Sequence, residues 1–127
     1  MIIINKTELG KLSFPDFTVT QMVINLDKKV SEIFTDGAVI DDDAGLIELD
    51  SGKLVIKHWQ EISIREYQAD ISSWVGIELL QADKLKDICE EVFDDDIVLR
   101  GFGYQSGLWL EYKFIKPEIM YAEFDKK

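Results

Sequence analysis

Cysteine is nearly absent. Cys89 is the only one in 127 residues, so no disulfide can close within the chain, and the stapled scaffolds of small secreted domains are excluded. Histidine is equally scarce: His58 stands alone, and one His with one Cys falls short of the ligand set of a structural zinc site. No metal and no cofactor is expected. Proline occurs only at Pro15 and Pro117, each between apolar segments, so no Pro-rich linker divides the chain. With no repeat and no low-complexity tract, residues 1–127 read as a single domain of ordinary size. No apolar run approaches the length of a membrane span. Met1-Ile2-Ile3-Ile4-Asn5-Lys6 carries four apolar residues with no basic stretch before them, unlike a signal peptide. These absences predict a cytoplasmic protein.

Positive charge is the other shortage. Fourteen Lys and Arg stand against twenty-five Asp and Glu, leaving a formal net charge of −11. A field of that sign repels phosphate backbones and anionic lipid surfaces, which basic proteins grip. No nucleic-acid and no membrane partner is expected. Two uses of the charge remain: keeping the protein soluble, or complementing a basic partner.

What is present is enough apolar material for a folded core. Hydrophobic residues make up 46% of the chain, and fourteen are aromatic, which separates it from disordered acidic sequences. The patterning is mostly that of strands. Phe17 to Leu26 is rich in Val, Ile and Thr, with Met22, Ile24 and Leu26 on one face. Asp27-Lys28 then turns the chain into Val30 to Thr35. Asp36-Gly37 and Asp50-Ser51-Gly52 read as hairpin turns, since Gly tolerates the positive φ that tight turns demand. Trp59 to Tyr67, Trp74 to Leu80, Ile97 to Phe102, Leu108 to Ile115 and Ile119 to Phe124 continue the β pattern. In Leu108–Ile115 the alternation is clean: Leu108, Leu110, Tyr112 and Phe114 share one face, and Trp109, Glu111 and Lys113 the other.

One stretch changes period. Leu85, Ile88, Cys89 and Val92 fall at the i, i+3, i+4, i+7 spacing of a helix face, with Asp83 placed as an N-cap and Asp87 and Glu91 facing water. About nine strands and one amphipathic helix predict an α+β fold whose predominantly antiparallel sheet is strongly curved, sandwich- or barrel-like, with the helix lying on it.

The residues that carry chemistry do not assemble into a catalytic set. Cys89 and His58 form the only thiol–imidazole combination, but the predicted helix buries the thiol among carboxylates, which raises its pKa. Asp41-Asp42-Asp43 and Asp94-Asp95-Asp96 lack the alternate acids, fixed Gly and closing Glu of a calcium loop. Gly101-Phe102-Gly103 lacks the third glycine and the strand-then-helix setting of a nucleotide loop, and reads as a bend or bulge. No catalytic residue is assigned and no enzyme is expected.

Acid is concentrated in two places. Asp36 to Asp50 holds Asp36, Asp41, Asp42, Asp43, Glu48 and Asp50 with no Lys or Arg. Asp83 to Asp96 holds Asp83, Asp87, Glu90, Glu91, Asp94, Asp95 and Asp96 against Lys84 and Lys86. Thirteen of twenty-five acids lie in these two segments. They form one negative patch if the fold joins them and two solvated loops if it does not. In size, charge and want of catalytic equipment the chain resembles the cytoplasmic immunity proteins that bacteria pair with toxic nuclease domains. The resemblance implies a non-catalytic inhibitor, steered electrostatically onto a basic toxin domain and anchored by an exposed Trp or Tyr. The partner-binding residues would be Asp41, Asp42, Asp43, Asp94, Asp95 and Asp96. Two alternatives stand beside it. One is a small-molecule binder whose aromatics line a pocket in a curved sheet. The other is a structural protein, monomer or homodimer, that assembles through an exposed sheet edge.

Overall fold

The computed structural model describes residues 1–127. It contains twelve strands: β1 (Ile2–Asn5), β2 (Leu12–Ser13), β3 (Val19–Asn25), β4 (Val30–Thr35), β5 (Ala38–Asp42), β6 (Gly45–Lys57), β7 (Glu61–Gln68), β8 (Ser73–Gly76), β9 (Glu90–Phe93), β10 (Ile97–Phe102), β11 (Trp109–Ile115) and β12 (Ile119–Lys126). Short 3-10 turns occupy Lys6–Lys11 and Leu79–Gln81. Every strand pair is antiparallel. The strands form two sheets. The first runs β1-β12-β6-β4-β3, with β5 beside the other half of β6 and β2 beside β5; the second runs β8-β7-β11-β10-β9. Neither closes into a barrel.

A two-stranded ribbon joins the sheets. β6 pairs with β12 in the first sheet, and β7 with β11 in the second. The chain passes from β6 to β7 through His58–Gln60 and from β11 to β12 through Lys116–Glu118, so both strands of the ribbon bend at one corner. Backbone bonds from Gln60 N to Ile115 O (2.8 Å) and from Glu118 N to Lys57 O (3.1 Å) keep the ribbon paired there. His58 and Lys116 take the positive φ values of 57° and 47° that the bend requires.

Period-two alternation fills the space between the sheets. Ile33, Leu54, Ile56, Met120, Ala122 and Phe124 come from the first sheet, and Ile64, Ile97, Leu99, Leu110, Tyr112 and Phe114 from the second; they belong to one buried cluster. Trp59, at the corner, is buried and donates its indole N–H to Ser31 Oγ at 3.1 Å. Among the core aromatics Phe14 and Phe124 meet ring to ring at 6.3 Å, and Trp59, Tyr112 and Phe114 belong to the same buried cluster as the aliphatic side chains.

The two expected tight turns are not turns. Thr35 pairs with Gly52 and Ala38 with Leu49, a single uninterrupted register. β4 and β5 are thus two halves of one arm of a long hairpin whose other arm is β6. Asp36-Gly37 and Asp50-Ser51 face each other where this hairpin bends. The reversal itself lies at Asp42–Gly45, which pair across it. Asp36 is used elsewhere: its Oδ1 accepts the N–H of Thr18 at 2.7 Å. Gly52 is required by crowding, since a Cβ there would overlap the carbonyl oxygen of Glu123 in β12.

The predicted helix over Asp83–Phe93 does not form. Its C-terminal end is strand β9, and the rest runs extended alongside β10: Lys86 N bonds to Phe102 O at 2.7 Å and Cys89 N to Arg100 O at 2.8 Å. On its other side Val19 N reaches Lys86 O at 2.8 Å, so this segment links β10 to the start of β3. Leu85 and Ile88 are buried as expected, but Cys89 and Val92 are exposed, and Asp87 and Glu91 are half-buried rather than facing water. Asp83 does accept backbone N–H groups, though not those of a helix start. Its Oδ2 takes the N–H of Gln105 and of Ser106, each at 2.8 Å, and so closes the β10–β11 loop. Extended pairing satisfies the backbone on both sides here, and it outweighs a helical spacing made of four residues.

Candidate interaction surface

Both acidic triplets sit at hairpin tips. Asp41 and Asp42 end β5, and Asp43 begins the reversal into β6; Asp94, Asp95 and Asp96 form the turn between β9 and β10. The two tips belong to different sheets, and the 3-10 turn Lys6–Lys11 packs against both β5 and β9. Five of the six carboxylates are exposed and have no Lys or Arg within ion-pair distance. Asp96 differs. It is half-buried, its Oδ1 accepts the N–H of Lys116 at 2.9 Å, and its Oδ2 lies 3.8 Å from Lys113 Nζ. It fastens the β9–β10 turn to the ribbon corner.

The fold also brings cations to a segment that has none in sequence. Lys11, paired with Glu8 at 2.9 Å, lies in the field of Asp43 and Asp42, and Lys127 Nζ contacts Glu48 at 2.6 Å. Seven of the eight ion pairs join residues distant in sequence, so sequence proximity alone overstates the local excess of acid.

The outward face of the second sheet carries an arrangement that no local stretch of sequence announces. Residues directly opposite in a ladder share a face. Glu90 faces Arg100, Arg100 faces Glu111, Glu111 faces Arg65, and Arg65 faces Gly76. Glu111 is the centre of this charged row. One carboxylate oxygen accepts Arg65 Nε at 2.5 Å; the other accepts Arg100 Nε at 3.0 Å and Nη2 at 2.9 Å. Those side chains leave Glu111 only 3% exposed although it points away from the core. Burial pushes its carboxyl pKa up, but the hydrogen bonds from Arg65 and Arg100 outweigh that and hold it below the usual range.

Beside the charged row lies an aromatic one. Phe102 pairs with Trp109 and Tyr67 with Trp74. β7 and β11 pair as far as Glu66–Leu110, and the next positions outward are Tyr67 and Trp109. The rings of Phe102 and Trp109 meet edge to face at 5.0 Å and 68°; those of Tyr67 and Trp74 do so at 5.6 Å and 64°. The Arg65 guanidinium lies over Trp74, 4.8 Å from the ring centre. The one hint in the sequence was the alternation of β11, which put Trp109, Glu111 and Lys113 on the outward face.

A cleft of about 290 Å³ opens where the Ser13–Thr18 loop meets Lys86–Glu91. Cys89 and Glu91 line it. Burial, with the Asp87 carboxylate accepting the S–H at 3.4 Å and Glu90 and Glu91 nearby, pushes the thiol up to about 11. Burial, with Glu90 beside it, raises the Glu91 carboxyl to about 7. A thiol held in its protonated form is a poor nucleophile. His58 is placed elsewhere, at the ribbon corner, with Nδ1 3.6 Å from Glu118 Oε2. No group of three or more His, Cys, Asp or Glu side chains is arranged to hold a metal, and no helix is long and apolar enough to cross a membrane.

Compared with protein-family models, curated proteins and solved structures, the chain matches none.

Proposed function

We propose that this is a non-catalytic, cytoplasmic binding protein whose partner is a basic protein, with inhibition of a nuclease-type toxin domain as the role its charge best suits. The observation that carries this reading is the state of the two hairpin tips. Asp41, Asp42, Asp43, Asp94 and Asp95 are exposed and without a cationic partner, on a chain of net charge −11. Unpaired like charges at a tip repel one another, and a basic surface relieves that repulsion as it approaches. Charges of this sort act chiefly on the rate of encounter.

The test begins with affinity purification from the native organism and continues with stopped-flow association of the recovered partner at low and high salt. Changing Asp41–Asp43 or Asp94–Asp96 to Asn should slow association and flatten its salt dependence. Identical rates and salt slopes for wild type and both variants would reduce the tips to solvated charge and overturn the reading. Asp96 must also be changed alone, because its bond to the Lys116 N–H gives it a structural part that the other five lack.

A further inference from the structure

We propose that the aromatic row Phe102–Trp109–Tyr67–Trp74 on the outward face of the second sheet is the anchoring surface for an arginine-bearing segment of a protein partner. This rests on the reading of a basic partner and says where that partner is gripped.

The row stands outside the core. All four rings lie on the face turned away from the core cluster, and none is buried; Phe102 is 44% exposed. Exposed Val92 belongs to the same face, and Ile71 caps the adjoining β7–β8 turn, at 49% and 57% exposure. A solvated sheet face ordinarily carries polar side chains. Trp, Tyr and Arg grouped together are the composition of interface hot spots, where rigid rings contribute large contact area at little entropic cost.

Charge decides what the row accepts. Each cation on this face already has a carboxylate partner: Arg65 and Arg100 on Glu111, and Lys113 with Asp96. A phosphate chain would therefore find no free Lys or Arg here. Asp94, Asp95 and, at the β7–β8 turn, Asp70 have no ion-pair partner. An incoming guanidinium would meet ring faces along the row and the unpaired Asp70 at its Trp74 end, while Asp94 and Asp95, at the opposite end of the sheet beyond Arg100 and Arg65, act on its approach. The protein already makes the same contact internally, with Arg65 over Trp74. Planar guanidinium stacks on rings better than the compact ammonium of lysine, so the preference is for Arg over Lys.

The test uses the intact protein and a short peptide of alternating Arg and Gly, with Lys–Gly and Glu–Gly counterparts and a single-stranded thymidine oligonucleotide as comparisons. The indole N–H signals in nuclear magnetic resonance report position. Those of Trp74 and Trp109 should move with the Arg peptide, several-fold less readily with the Lys peptide, and not with the other two. The Trp59 signal should stay, since that ring is buried and bonded to Ser31. Trp109→Ala should weaken Arg-peptide binding about tenfold, as expected for a hot-spot residue. Phe102→Ser, at a more exposed site, should do likewise, with the Trp59 signal certifying the fold in each variant.

Shifts confined to the Asp41–Asp43 and Asp94–Asp96 amides would overturn the proposal, as would indole shifts produced by the oligonucleotide and not by the Arg peptide. Failure of the basic-partner reading looks different. In that case the two triple Asn variants would associate with the recovered partner as wild type does, while the Arg peptide still moved Trp74 and Trp109.

Discussion

Gly101 in β10 lies so close to the carbonyl oxygen of Asp87 that a Cβ at that position would overlap it. The absent side chain is what lets the extended 85–89 segment run against β10 and bridge toward Thr18. Because the obstacle is backbone and not the end of a flexible side chain, the protein has little means of giving way. Gly101→Ala should therefore cost about 1–3 kcal/mol, a typical overpacking penalty, read as a lower midpoint in urea unfolding. A variant as stable as wild type would show that the two strands can separate freely.

The same segment separates two kinds of apolar residue that the sequence presented as equivalent. Ile88 is 2% exposed and Val92 is 49% exposed. Ile88→Ala should cost about 2–5 kcal/mol, the range for truncating a buried aliphatic side chain. Val92→Ala should stay within about 0.5 kcal/mol, as surface substitutions do. Equal losses at the two positions in chemical denaturation would mean that a helical face had formed after all.

The alternation of β10 and β11 survived into the structure, while the strand expected over Trp74–Leu80 stops at Gly76 and gives way to the 3-10 turn Leu79–Gln81. Leu110, Tyr112 and Phe114 are buried on one side of β11 as the pattern required, whereas Leu108, just before the strand, is 42% exposed; β10 spans Ile97–Phe102 as expected. Alternation of that length leaves one solution, because slipping by one residue would turn the whole apolar set outward. Short signals failed. Leu85, Ile88, Cys89 and Val92 fit a helix, yet two of them are buried in an extended chain that crosses from one sheet toward the other. Asp36-Gly37 and Asp50-Ser51-Gly52 each look like a turn alone. Only pairing across β6 shows that they are opposite sides of one bend. The outward rows were hidden for a related reason: Arg65, Arg100 and Glu111 come from three strands, and no local pattern states which strands are neighbours. The acidic triplets were plain as charge, but that Asp96 is tied to Lys116 could not be read before the corner was known.

Cys89 is exposed, yet it should react slowly. Its thiol is held near 11 by partial burial, by the hydrogen bond to Asp87 and by Glu90 and Glu91, so little thiolate exists at neutral pH. Alkylation by a soluble thiol reagent should be much slower than for the unfolded chain at about pH 7, and should accelerate as the pH rises toward 11. Asp87→Asn removes one carboxylate while keeping an oxygen for the Phe102 N–H, which Asp87 accepts at 3.0 Å. That variant should label faster with its fold intact. Equal rates in wild type and variant would assign the protection to access rather than to charge.

Glu91 makes stability depend on pH in the direction opposite to most carboxylates. Its folded pKa is raised to about 7 from an ordinary 4.5, first by burial and then by Glu90, so the folded state binds the proton more tightly than the unfolded chain. The stability linked to this proton is fully present below about 4.5 and is lost as the pH rises through about 7. The difference in proton affinity between the two states is a difference in stability, and water reaching the half-buried carboxylate keeps it well below what the full shift alone would give. Glu91→Gln places a neutral amide in the same cleft and removes the titration. The variant should exceed wild type in urea midpoint at about pH 8, and the advantage should shrink steadily toward about pH 4. An advantage independent of pH would show that Glu91 ionises in the folded protein as it does in the unfolded chain, and that the cleft is as wet as bulk solvent.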